Sequence, residues 1–94
     1  MNEQEAQELL ERELGRFRSE SYAELARRVG EISGYPVTAP SGVRYQVEIQ
    51  IFWDGKPQDN VRVMGAIDDG GFRALVPLTL AFIMDPAGGF VDED

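Results

Sequence analysis

Acidic side chains are the most numerous ionisable groups in this chain, 17 Asp and Glu against 9 Lys and Arg, so metal and acid–base chemistry come first. Asp54 and Asp59 fall in "DGKPQDN", and Asp68 and Asp69 in "DDGG". A calcium loop of the EF-hand kind alternates oxygen ligands, turns on a central glycine and closes with a glutamate. Neither stretch has that order, and both place Asp, Asn, Gly and Pro where tight turns need them. No metal ligands are assigned and no cofactor is expected. Glu48 is the acid inside the alternating stretch "YQVEIQIFWDG". It falls on an open face with no burial to tune it, and no second carboxylate faces it across a cleft as glycoside hydrolysis requires.

The chain has no His and no Cys. That removes His-based dyads and triads, thiol catalysis, Cys-rich zinc sites and disulfide frameworks. Ser, Thr and Tyr hydroxyls therefore lack a His base, and Lys56, the sole lysine, lies in a turn where burial does not activate it. "DDGGF" joins two strands and opens no helix, so it is not a phosphate-binding loop. No catalytic residue is assigned, and the expectation is a protein without enzymatic activity.

The net charge of −8 argues against nucleic acid, which needs clustered Lys and Arg, and against an anionic membrane surface. No apolar run approaches the ~20 residues that span a bilayer. The start, "MNEQEAQELL", has neither the basic nor the apolar region of a secretory leader. With no disulfides in so short a chain, the expected location is cytoplasmic. A single domain of 94 residues buries roughly 60–65% of the surface its unfolded chain exposes, enough for one core.

The elements that must position these residues read as α+β. The first third has no Pro and is rich in Glu, Gln, Arg, Leu and Ala, all good helix formers. Leu10, Leu14 and Phe17 fall on one stripe of a helix over about 3–18. Ser21 followed by Glu24 is a capping-box pattern that starts a second helix over about 21–33, with Tyr22, Leu25, Ala26, Val29 and Ile32 on one face. Glu8 with Arg12, and Glu24 with Arg28, have the spacing of helical ion pairs. Gly34 and Pro36 end the helical period, and a short extended piece is expected at 35–38. Strands follow over about 43–53, 61–68 and 71–76, and a short extended segment closes the chain at Phe90 and Val91. Asp69-Gly70 has the signature of a two-residue hairpin turn. The predicted architecture is two N-terminal helices packed on one face of a three- to four-stranded antiparallel β-meander.

Register then sorts the strand residues onto two faces. Pairing Ile51 with Val63, Ile49 with Gly65 and Val47 with Ile67 gives a core face that also holds Val43, Tyr45, Trp53, Val61, Phe72 and Val76. Gly65 and Ala74 make a dip in it, to be filled by Tyr22 or Leu25. The alternative is a ligand pocket floored by Gly65 and Ala74 and lined by Tyr22, Tyr45 and Trp53. The other face carries Phe52, Met64 and Leu75 as an apolar band among Glu48, Arg62 and Arg73. Such a band on a solvent face calls for a partner or for a second layer of chain. The intramolecular candidate is the segment with Phe82, Ile83 and Phe90. The expected function is a small protein-interaction or accessory module whose partner is another protein or a second copy. Two alternatives are a small-ligand-binding domain and an acidic neutraliser of a basic partner, of the immunity or antitoxin type.

Overall fold

Asn2 starts the first helix, accepting a 3.1 Å hydrogen bond from the Glu5 backbone N–H. Helix α1 (Glu3–Arg18) has Glu3 and Glu5 in its first turn and Arg16 and Arg18 in its last, each sign matched to the helix dipole. The chain breaks at Ser19, as the capping pattern predicts. Ser21 then caps helix α2 (Tyr22–Arg27), its hydroxyl oxygen accepting from the Glu24 N–H at 3.1 Å. In the computed structural model, described for residues 1–71 and 76–92, these two helices precede a four-stranded antiparallel sheet of order β1-β2-β3-β4. The strands are β1 (Ile32–Thr38), β2 (Arg44–Asp54), β3 (Asn60–Asp68) and β4 (Leu78–Met84). The α+β meander with its helices leading is as the sequence predicts.

Two elements differ from expectation. The second helix stops at Arg27 and does not run to residue 33. Gly30 takes φ +99°, which turns the chain out of the helix. Its N–H donates to the Ile51 carbonyl at 2.8 Å, and the Ile51 N–H donates to the Glu31 carbonyl at 3.2 Å. Once the backbone is captured by β2, the following residues form β1, and Ile32, Tyr35 and Val37 suit a strand better than a helix. The helical spacing of Val29 and Ile32 was therefore fortuitous. The predicted ion pairs also shift: Arg12 lies 3.8 Å from Glu13, while Arg28 contacts Glu20 at 2.8 Å and Glu31 at 3.2 Å.

The second difference is the neighbour of β3. The predicted strand over 71–76 includes residues 72–75, which lie outside the described residues. Its ladder position is taken by β4: Ile67 pairs with Leu78, Gly65 with Leu80 and Val63 with Phe82, where the short hairpin would have put Phe72, Ala74 and Val76. "LTLAFIM" offers seven residues free of Gly and Pro, whereas the nearer segment is punctuated by Gly71 and Pro77. The β2–β3 register, by contrast, is the predicted one: Ile51 faces Val63, Ile49 faces Gly65 and Val47 faces Ile67.

Both helices cover the same face of the sheet. Ala6, Leu9, Leu10, Leu14 and Leu25 pack there against Tyr45, Val47, Ile49, Ile51, Val61, Val63, Ile67, Phe82 and Met84. Val43 and Val76, assigned to this core from alternation, are 43% and 56% exposed, because each lies beyond the end of a strand. A Cβ on Gly65 would come within 2.7 Å of the Leu10 Cδ1 and 3.4 Å of the Leu14 Cδ2. The dip at Gly65 is thus the seat of Leu10 from α1, not of Tyr22 or Leu25. Among the described residues, no helix is long and apolar enough to cross a membrane.

Candidate interaction face

The face opposite the helices, which no described helix covers, is set by the same registers. One row across the four strands is Ile32, Gln50, Met64 and Ala81. The next, toward the β2–β3 loop, is Phe52, Arg62 and Ile83. In the other direction come Gly34, Glu48, Ala66 and Thr79, then Pro36, Gln46 and Asp68. Phe52, Met64, Glu48 and Arg62 therefore share one face, as predicted. Leu75 and Arg73 lie outside the described residues, and the places predicted for them beside Met64 and Ala66 belong to Ala81 and Thr79.

The face is divided along its length. Ile32, Phe52, Met64, Ala81 and Ile83 gather at one end, and Arg44, Gln46, Glu48 and Asp68 at the other. Ile32 is 67% exposed. At the apolar end the charges of Arg62 and Asp54 cancel locally: Nη2 and Nε of Arg62 donate to one Asp54 oxygen at 2.9 and 3.1 Å. At the polar end Gln50 donates to Glu48 at 2.9 Å.

The C-terminal segment does not fold over Phe52. Phe82 points to the helix-covered face, and Phe90 meets it edge-on with ring centroids 5.7 Å apart. The Arg18 guanidinium lies 4.8 Å from the Phe82 ring and 5.1 Å from the Phe90 ring, tying this tail to the end of α1. Only Ile83 of the three contributes to the open face. Phe90 bridges back to Met84, and the Val91 N–H donates to the Ile83 carbonyl at 2.9 Å, so the tail extends the edge of the sheet.

The residues proposed to line a pocket do not surround open space. Tyr22 donates its hydroxyl to the Asp59 carbonyl at 2.7 Å, Tyr45 is buried, Trp53 packs against the core and Leu10 covers Gly65. Ala74 lies outside the described residues. An open groove of about 560 Å³ does run between the end of α1 and β1, lined by Arg16, Phe17, Glu20, Arg28, Ser33 and Tyr35. Its strongest anion donor is already taken, since Arg28 reaches both oxygens of Glu20 at 2.8 Å and lies over the Phe17 ring.

Sequence reasoning missed two tyrosine–glutamate ties on the covered face. The Tyr35 hydroxyl donates to Glu13 at 2.8 Å, and the Tyr45 hydroxyl to Glu5 at 2.8 Å. Each joins α1 to a strand. Burial first, and then the hydrogen bond to the carboxylate, pushes both hydroxyls up to about 12. The readable signal was Glu13 itself, an acid three residues after Leu10 and four after Leu9, inside the apolar stripe of α1. Among the described residues, no group of three or more His, Cys, Asp or Glu could hold a metal ion.

Fold and face together define an α+β protein with helices on one side of an antiparallel sheet and, on the other, a mixed surface that no described helix covers. Compared with family models, with curated proteins and with solved structures, the chain matches none.

Proposed function

We propose that this protein is a non-catalytic interaction module that binds another protein chain through the open face of its sheet, and that it works in the cytoplasm. The observation that carries the reading is the clustering of Ile32, Phe52, Met64, Ala81 and Ile83 at one end of a face that no described helix covers. Apolar surface gains roughly 25 cal/mol per Å² when it leaves water, so such a cluster favours a covered state. The Arg62–Asp54 pair supports the same reading, because a charge that already has its partner within the face costs less to cover than a bare one. The chain's −8 charge weighs against nucleic acid as the partner.

Phe52→Glu tests it. Phe52 is half-buried at the apolar end, so a carboxylate there is expected to cost about 1 kcal/mol of folding stability while abolishing association. Capture from native extract, run beside thermal melts, reads the two effects separately. A large loss of stability with undiminished capture would overturn the reading.

A further inference from the structure

Resting on the reading that the open face binds protein, we propose that its occupant is a second copy of this chain, stacked sheet on sheet about a twofold axis that runs along the strands between β2 and β3. Three features of the face point there.

The first is area. Four strands ~4.8 Å apart and about seven residues long at ~3.3 Å rise span roughly 19 by 23 Å, or about 440 Å² in projection, before side-chain relief is counted. A standard interface takes about 800 Å² of accessible surface from each partner. The apolar end supplies only about half of the face, so a stable contact needs the whole of it. The occupant must therefore match the polar end as well as the apolar one.

The second is charge. Among the described residues this face bears Arg44 and Arg62 against Asp54, Glu48 and Asp68, close to balance in a chain whose net charge is −8. The acids of α1 lie on the far side of the molecule. Two copies meeting through their sheets keep those acids apart, whereas contact between helix faces would bring them together.

The third is self-complementarity under one particular axis. A twofold along the strands lays β2 of one copy over β3 of the other and β1 over β4, and keeps apolar end on apolar end. Phe52 then faces Arg62 of the other copy, and by symmetry Arg62 faces Phe52. Ile32 falls over Ala81, Gln50 over Met64 and Glu48 over Ala66. At the far end Gln46 meets Asp68, with Arg44 one row away and long enough to reach that carboxylate. A twofold across the strands would instead lay each strand on its own copy and set the apolar end of one chain over the polar end of the other. The usual offset of about 30° between packed sheets moves the outer rows by a few ångströms and leaves the central row in place. Each Phe52–Arg62 contact is a cation–π pair drawn from a guanidinium already neutralised by Asp54.

Sedimentation equilibrium on the purified chain is expected to show a monomer–dimer equilibrium. Phe52→Glu, and Ile32→Glu at a position too exposed to disturb the core, should each weaken it by at least about tenfold. The chain has no cysteine, so one introduced thiol reports position cleanly. Met64→Cys, close to the axis on sheets ~10 Å apart, should give a covalent dimer with a short bismaleimide, and Glu8→Cys on the exposed side of α1 should not. A monomer at every concentration overturns the proposal. So does a dimer indifferent to both Glu variants, or one that cross-links through Glu8→Cys and not through Met64→Cys. If the chain is monomeric but folded Phe52→Glu loses a protein captured by the wild type, the second copy is refuted and the interaction reading stands. If folded Phe52→Glu changes neither association nor capture, both fall.

Discussion

The two faces of the sheet are built from alternate residues of the same strands, yet they obey different rules. On the covered face every central position of β2 and β3 is apolar or glycine: Tyr45, Val47, Ile49 and Ile51 on β2 lie beside Val61, Val63, Gly65 and Ile67 on β3, and all are buried. Its polar groups are tied down, with Tyr35 on Glu13 and Tyr45 on Glu5. On the open face Gln46 and Glu48 are exposed, and Phe52, Met64 and Ile83 are only half-buried. The contrast separates two causes for an apolar side chain. Leu10 is apolar because the fold needs it there. Ile32 is not explained by the fold at all, and residues of that second kind are where association is sought.

The comparison breaks most visibly at Leu10. Its Cδ1 sits where a Gly65 side chain would begin, so the two positions are fitted to one another. Leu10→Ala removes the group that fills this seat and leaves a cavity over a backbone that cannot collapse far. The expected cost is about 3 kcal/mol, within the 2–5 typical of such truncations and a large share of the stability of a small domain. Urea denaturation measures it. A cost below about 1 kcal/mol would mean that the covered face is no more demanding than the open one.

The tyrosine ties sharpen the same contrast through pH. Both hydroxyls titrate at about 12 in the folded chain, against ~10 in an unfolded one. A folded value raised above the unfolded one means that the contribution is fully present below pH ~10 and is lost as pH rises toward 12, when each tyrosinate would sit beside a glutamate. Stability followed by denaturant melts from pH 8 to 12 should therefore fall through that window. Tyr35→Phe and Tyr45→Phe are expected to be less stable at neutral pH by about 1–2 kcal/mol each, for a lost hydrogen bond to a charged group, and to show a flatter alkaline limb. An alkaline limb unchanged in the double variant would show that these hydroxyls do not hold α1 to the sheet.

What could be read from the sequence follows the same division. Alternation in "YQVEIQIFWDG" settled the faces of β2, and pairing it with β3 settled which residues share them, because a one-residue slip would have turned every apolar side chain to water. Ser21 and Glu24 marked the break between helices, since a cap is a local signal with a local cause. Non-local competition was harder to see. Val29 and Ile32 satisfy a helical stripe and a strand equally well, and only the Gly30 and Glu31 hydrogen bonds to Ile51, twenty residues on, decide between them. Likewise Asp69-Gly70 has real turn character, with Gly70 at φ +85°, but a turn signal cannot say which downstream segment will claim the edge of β3. Three of the five apolar residues at that end of the open face were missed for these two reasons together. Ile32 was placed on a helix, and Ala81 and Ile83 on a segment that was assigned no strand.

The smallest expected effect is the sharpest test of the distinction. Ile32 and Leu10 are both aliphatic, and both belong to rows that touch the centre of the sheet. Ile32 is 67% exposed and Leu10 fully buried. Ile32→Thr keeps the β-branch, and with it the preference for a strand, while removing apolar surface from the open face. Nothing packs closely enough on Ile32 to leave a cavity, so the change in unfolding free energy is expected to stay within about 0.5 kcal/mol, the range of ordinary surface substitutions. Leu10→Ala should exceed it severalfold in the same urea titration. Were Ile32→Thr to cost as much as the Leu10 variant at a protein concentration where the chain is monomeric, the open face would be part of the folding core, and its apolar residues would need no partner to explain them.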